Sequence, residues 1–143
     1  MKAFVVDASV AVKWCLPAQS EAFVPQAEEL LAAYRGRDTQ FLVPDLFWPE
    51  LGNALWKAVR KGTIDHTRAE SSLALVSDLN IPTVSSSDLI PQALRLALIH
   101  GRTVYDSLYV ALAVQSESQL ITADERLANA LAARLPVKWL GGL

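Results

Sequence analysis

Four acidic residues lie where the sequence predicts that strands end or helices begin. Asp7 directly follows a short apolar run, and Asp124 lies two residues after another. Glu50 and Asp106 each fall near the first turn of a predicted helix. Acids are common near helix starts because they cap the helix or complement its dipole, and this explanation stays open for each of the last three taken alone. An acid that ends a buried strand needs polar partners, so Asp7 is the strongest functional candidate.

Taken together, the four carboxylates predict a metal site. Like charges a few ångströms apart cannot all stay ionised unless a cation neutralises them. Oxygen ligands without histidine or cysteine suit hard cations such as Mg²⁺ or Mn²⁺, which keep several of their waters. Such a site can activate water and neutralise the charge that develops on a phosphodiester. The pattern therefore indicates metal-dependent phosphoryl chemistry.

Other residue types exclude competing kinds of site. The 143 residues include one cysteine, Cys15, which excludes an internal disulfide and a zinc site built from several cysteines. The two histidines, His66 and His100, are too far apart in sequence for a His-x-x-x-His metal pair. No apolar run reaches the roughly 18 residues of a membrane span, and the first residues lack a secretory apolar region. We therefore expect a single cytoplasmic domain over 1–143 that does not engage a membrane.

The order of apolar runs and helix-forming segments predicts what positions the acids. Strands are expected at 3–6, 41–43, 83–84, 120–122 and 137–140. Helices are expected at 9–16, 26–35, 45–61, 65–79, 88–100, 104–115 and 124–133, with caps at Asp45, Asp65, Ser87 and Thr103. This order favours an α/β fold with a parallel sheet flanked by helices. Ligands bind at the carboxyl ends of such strands, where Asp7 and Asp124 would meet.

Four segments spread over nearly the whole chain resemble a known family. They are VVDASVAVKW (5–14), VPDLFWPELGNAL (43–55), TVYDSLYVALA (103–113) and LITADERL (120–127). In their order and separation they are similar to PIN domains, and specifically to VapC-type toxin ribonucleases of type II toxin–antitoxin pairs. The first segment alone would be a weak signal, since many strands end in aspartate, but the four together are specific.

The resemblance implies an α/β/α sandwich and a Mg²⁺-dependent endoribonuclease, with Mn²⁺ as an alternative ion. The family's catalytic and metal-binding quartet falls on Asp7, Glu50, Asp106 and Asp124. The three aspartates would hold one or two ions, and the glutamate would complete the shell and orient the attacking water. Two polar family positions fall on Ser9 and Thr122, which we expect to position metal-bound water or a carboxylate. The implied partners are an RNA substrate, a small antitoxin that covers the active site, and a second copy of the chain in a homodimer.

The overall charge does not exclude RNA as a partner. The net charge is −2 and the pI about 5.6, but setting aside the four clustered acids leaves more basic than acidic residues. The cluster Lys57, Arg60 and Lys61 lies on the helix that starts near Glu50, ~11–16 Å along its axis. Other basic candidates are Lys13, Arg35, Arg37 and Arg102. Of the four tryptophans, Trp56 and Trp139 are expected in the core, and Trp14 and Trp48 stay open as base-stacking candidates.

Two other functions remain as alternatives. A phospho-acceptor receiver domain is also an α/β domain of this size that binds Mg²⁺. It would need an acid pair after the first strand and a lysine at a late strand end, whereas Lys138 lies inside the last predicted strand. The second alternative is a catalytically silent PIN-like interaction module, against which the complete quartet argues.

Overall fold

The computed structural model describes residues 2–143, and in this part of the chain five strands form one sheet. They are β1 (Lys2–Val6), β2 (Thr39–Pro44), β3 (Thr83–Val84), β4 (Gln119–Thr122) and β5 (Val137–Trp139). Every neighbouring pair is parallel, in the order β3-β2-β1-β4-β5. The predicted α/β fold, a parallel sheet flanked by helices, is confirmed.

Seven α-helices in residues 2–143 flank this sheet. They are α1 (Ala8–Cys15), α2 (Val24–Arg35), α3 (Phe47–Arg60), α4 (His66–Ser77), α5 (Ser86–His100), α6 (Val104–Gln115) and α7 (Glu125–Leu131). Short 3₁₀ turns occupy Ala18–Ser20 and Leu140–Gly142. None of these helices has the length and apolar character needed to cross a bilayer.

The helix α6 forms the centre of the packing. It contacts β1, β2 and β4 on one side and α5 on another. Its residues from Ser107 to Ala113 are all buried, which explains why its sequence is apolar on every face and lacks an amphipathic stripe. The first turn, which carries Asp106, is only half-buried and therefore faces the edge of the sheet rather than its core.

The strand order creates a crevice beside β1. From β1 the chain moves outward through β2 and β3, then crosses back to place β4 on the other side of β1. In parallel α/β sheets, ligands bind at such a switch point, outside the carboxyl ends of the strands. Val6 pairs in register with Ile121, so the residues that follow them, Asp7 and Thr122, emerge side by side in the crevice.

Two predicted helix caps are wrong. Asp45 does not cap α3. Its carboxylate instead accepts hydrogen bonds from the backbone N–H of Ser86, at 3.1 Å, and from the Ser86 hydroxyl. Asp45 thus caps α5 from the end of β2, and these bonds lower its pKa. Ser87 lies inside α5 rather than before it, because that helix starts at Ser86. Asp65 and Thr103 cap α4 and α6 as predicted.

Candidate active site

Asp7 lies at the bottom of the crevice, between β1 and α1. Its Oδ1 accepts a hydrogen bond from the backbone N–H of Ser9 at 3.4 Å, which caps α1. Its Oδ2 accepts one from the hydroxyl of Thr122 at 2.7 Å. Burial raises the pKa of Asp7, these hydrogen bonds oppose the rise, and the charge of Asp106 adds to it. The net effect is a pKa above the usual range for aspartate, so ionising Asp7 costs free energy.

Thr122 and Ser9 hold the ends of β1 and β4 together. The hydroxyl of Thr122, fully buried, also accepts a hydrogen bond from the backbone N–H of Asp124 at 3.0 Å. The hydroxyl of Ser9 accepts one from the backbone N–H of Ala123 at 3.0 Å. Both side chains that were expected to support the acids therefore contact an acid or the backbone beside one. Their role in orienting these acids stays a prediction.

Glu50 enters the crevice from the first turn of α3. That turn contains Pro49, which is tolerated there because the first backbone N–H groups of a helix have no partner inside the helix. The Glu50 carboxylate is half-buried, and its Oε1 accepts a 2.6 Å hydrogen bond from the hydroxyl of Tyr109. Burial raises the pKa of Glu50, the Tyr109 bond lowers it, and the charges of Asp7 and Asp106 raise it further, for a net increase.

Tyr109, which the sequence analysis did not single out, contacts the site. The residue is only 3% exposed, but its hydroxyl also accepts a hydrogen bond from the backbone N–H of Ala8 at 3.4 Å. One hydroxyl thus joins the start of α1 to Glu50. A signal was present, because a tyrosine in the buried apolar stretch 108–113 needs a partner for its hydroxyl, and Tyr109 lies about one turn after Asp106.

Asp106 lies next to a basic side chain. Arg102 Nη2 lies 3.6 Å from Asp106 Oδ2, and Thr103 caps the helix by accepting a hydrogen bond from the Asp106 N–H at 3.1 Å. Burial raises the pKa of Asp106, the Arg102 charge lowers it, and the Asp124 charge raises it, with a net increase. The Arg102 Nε atom is buried and finds no hydrogen-bond acceptor within residues 2–143. Arg102 therefore neutralises the site only in part.

Asp124 caps α7, which is one of the two interpretations that the sequence left open, and its role at a metal site stays a prediction. Its Oδ1 accepts a hydrogen bond from the backbone N–H of Leu127 at 3.2 Å, so it caps α7. It is the most exposed of the four acids, yet its charge raises the pKa of Asp106. The four acids, from four separate elements, therefore form a chain of mutually repelling charges at one edge of the sheet.

The donor set fits a hard divalent cation, although the side chains as they stand do not enclose one. Among residues 2–143, no three His, Cys, Asp or Glu side chains are arranged as a ready metal-binding group. Each carboxylate already contacts the protein: Tyr109 binds Glu50, Arg102 pairs with Asp106, and the backbone of Leu127 binds Asp124. Burial, with a smaller contribution from neighbouring carboxylates, raises the pKa values of Asp7, Glu50 and Asp106, and a bound cation would favour their ionised forms.

Comparison with known families agrees with this geometry. The PIN domain family matches residues 4–131, which include all four acids. This chain belongs to the PIN domain family. The chain is 35% identical over 135 residues to ribonuclease VapC3 of Pyrobaculum aerophilum. The alignment covers 87% of this chain and 92% of that relative. The chain is therefore a PIN domain of the VapC type, as the four sequence segments indicated.

Solved structures show the same PIN fold. The protein PAE2754 from Pyrobaculum aerophilum superimposes with a TM-score of 0.70 and 25% identity, covering 99% of this chain and 85% of that one. A toxin–antitoxin complex from Klebsiella pneumoniae contains a chain that superimposes with a TM-score of 0.61 and 16% identity, covering 94% of each. Both have the fold of this PIN domain.

Proposed function

We propose that this VapC-type ribonuclease hydrolyses internal phosphodiester bonds of RNA, using a divalent cation bound by Asp7, Glu50, Asp106 and Asp124. The observation that supports the proposal most is the set of charge interactions that link Asp7 to Glu50 and Asp106, and Asp106 to Asp124, beside the switch-point crevice. Mg²⁺ is the proposed ion, and Mn²⁺, with the same preference for oxygen ligands, should replace it. Family membership excludes the receiver-like alternative.

The bound cation would supply a Lewis acid and lower the pKa of a coordinated water. The protein's own contribution is to hold the carboxylates in place. Thr122 and the N–H of Ser9 fix both oxygens of Asp7. Tyr109 occupies Oε1 of Glu50, so Oε2 is the atom that would orient the attacking water. Attack by water rather than by the 2′-hydroxyl would leave a 5′-phosphate and a 3′-hydroxyl.

Metal dependence is the direct test of this proposal. Single-stranded RNA incubated with the protein and Mg²⁺ should be cut internally, and chelation of the ion or the Asp106→Asn substitution should abolish cleavage. A protein that binds RNA but never cuts it under any divalent cation would instead be the silent PIN-like module. Cleavage that continues in the presence of a chelator would contradict the proposed chemistry.

We also propose two protein partners, a cognate antitoxin and a second copy of the chain. A protein of the same fold was solved in a toxin–antitoxin complex, which supports the first. The second is supported by α5, where Ile90, Leu94 and Leu98 are exposed at a spacing of four residues and so form one apolar stripe. If α5 mediates the homodimer, Leu94→Arg should give a monomer in light scattering while RNA cleavage per site persists. A dimer that survives this substitution would remove α5 from the interface.

A further inference from the structure

One face of α3 carries positive charge away from the crevice. Lys57 and Lys61 follow Glu50 by seven and eleven residues, close to two and three helical turns, so all three lie on one face to within ~20°. Both lysines are exposed. The face that presents Glu50 to the site therefore continues as a line of cations ~11–16 Å long.

An exposed tryptophan lies beside this line. Trp56 was expected in the core, but this prediction is wrong, because 54% of the residue is exposed. The guanidinium carbon of Arg60, one turn further on, lies 5.0 Å from the centre of the Trp56 ring, within the range of a cation–π contact. These two residues and the two lysines line a shallow depression of about 430 Å³.

The charges in this depression are uncompensated. Within residues 2–143 the salt bridges join Lys13 to Glu21 and Arg102 to Asp106, and none involves Lys57, Arg60 or Lys61. Lys13, by contrast, is buried in its ion pair and is removed from the basic candidates. Two exposed lysines, and an arginine that contacts the Trp56 ring, surround an accessible indole. This matches the chemistry of a nucleic-acid strand, whose phosphates need cations and whose bases stack on aromatic rings.

We propose that Trp56, Lys57, Arg60 and Lys61, the α3 basic track, bind single-stranded RNA that flanks the scissile bond. This inference rests on the proposed ribonuclease function and specifies where that site holds its substrate. At ~3.4 Å per stacked nucleotide, the track would contact nucleotides about three to five positions from the cut. Trp56 would stack on a base, and the three cations would bind the phosphates on either side of it.

The charge of the track favours RNA over a protein partner. An apolar groove does run along the other side of Trp56, lined in part by Leu55, Val59 and Leu73, and a peptide could occupy it. An apolar peptide, however, would leave the cations of Lys57, Arg60 and Lys61 without partners. A strand of RNA satisfies both the ring and the charges, so RNA is the occupant that the chemistry selects.

Binding and cleavage measured on the same variants test the track. A fluorescein-labelled 20-nucleotide single-stranded RNA is titrated with the Asp7→Asn protein, which should keep the fold, since asparagine also caps helices, and should not cut. Adding Trp56→Ala should raise the Kd at least about fivefold, and Trp56→Phe should restore most of the affinity. Replacing Lys57, Arg60 and Lys61 by alanine should weaken binding and reduce the slope of log K against log salt by about 2.

Cleavage separates failure of the track from failure of the proposed function. In protein that retains Asp7 and can cut, the track variants should raise KM for a 20-nucleotide substrate and leave KM for a short substrate unchanged. Lys138→Ala, an exposed control on β5, should change KM for neither substrate. If the unsubstituted protein cuts RNA and the track variants bind and cut as it does, the inference is wrong and the proposed function stands. If the track variants bind and cut RNA normally but no longer bind a protein partner, the surface is a protein-binding site and the inference is likewise wrong. If the unsubstituted protein cuts no RNA with any divalent cation, the proposed function itself fails.

Discussion

The hydroxyl of Tyr109 donates a 2.6 Å hydrogen bond to Oε1 of Glu50, although 59 positions separate the two residues in sequence. The bond holds the carboxylate of Glu50, the acid that α3 contributes to the site. Because the same hydroxyl also accepts a hydrogen bond from the N–H of Ala8, it sets the position of Glu50 relative to the start of α1, next to Asp7. Orientation of a catalytic group to within about an ångström can decide a rate by a factor of about 100.

Removal of this hydroxyl should therefore impair turnover more than stability. We expect Tyr109→Phe to lower kcat about 10- to 100-fold, with a loss of about 1 kcal/mol of unfolding free energy. The measurement is single-turnover cleavage together with urea denaturation. In the Glu50→Gln background the same substitution should add little further loss, since the two residues act as one unit. Independent, additive losses in the double variant would contradict this coupling.

The raised pKa of Asp7 predicts a stability cost in the metal-free protein. Since burial raises the pKa of Asp7 above its usual value, the folded state binds more protons than the unfolded state between these two values. The unfolding free energy should then fall as the pH rises through this window. Asp7→Asn removes the charge but keeps a residue that caps helices equally well. It should therefore stabilise the metal-free protein at pH 7, on the order of 1 kcal/mol, in thermal denaturation. If the metal-free Asp7→Asn protein is less stable than the parent, the ionised form of Asp7 does not destabilise the fold and the prediction is wrong.

The observed cap and the proposed metal contact of Asp124 can be separated by a matched pair of substitutions. Asp124→Asn keeps the cap of α7 but loses the charge, whereas Asp124→Ala loses both. We expect the alanine variant to lose about 1 kcal/mol of stability and the asparagine variant to remain near the parent. Both should bind Mg²⁺ more weakly, as measured by the cation's effect on melting temperature. Unchanged Mg²⁺ binding in both variants would remove Asp124 from the metal site and leave it as a cap alone.

Arg102 should compete with the cation for Asp106. The guanidinium lies 3.6 Å from the carboxylate of Asp106 and opposes the rise of its pKa. Its positive charge therefore already offsets part of the negative charge that would attract a metal ion. Substitution of Arg102 by glutamine should tighten Mg²⁺ or Mn²⁺ binding several-fold in calorimetric titration, because the competing charge is gone. Weaker metal binding would mean that Arg102 holds Asp106 in the productive orientation instead of competing for it.

Local patterns in the sequence were sufficient to predict the frame of the site, but not the contacts within it. Asp7 and Asp124 could be placed together because the carboxyl ends of parallel strands share one edge of the sheet. The pairing of Val6 with Ile121 puts the ends of β1 and β4 side by side. The partners of Asp45 and Glu50, in contrast, are Ser86 and Tyr109, which are 41 and 59 positions away. Such bonds depend on the packing of whole elements, which no local pattern encodes.

The exposure of Trp56 was open to prediction from the sequence. A tryptophan in an amphipathic helix is usually buried. At 100° per residue, however, Trp56 lies ~100–180° around α3 from the buried Phe47, Leu51 and Leu55. In this structure α4 leaves a groove beside Trp56 and exposes its ring.

The chemical nature of the cleavage products tests the central claim most directly. A defined single-stranded RNA, cut by the protein with Mg²⁺ present, should yield fragments with a 5′-phosphate and a 3′-hydroxyl by mass spectrometry, and Asp7→Asn should yield none while still binding the RNA. Fragments that end in a 2′,3′-cyclic phosphate, or equal cleavage by the Asp7→Asn protein, would contradict hydrolysis at a carboxylate-bound metal.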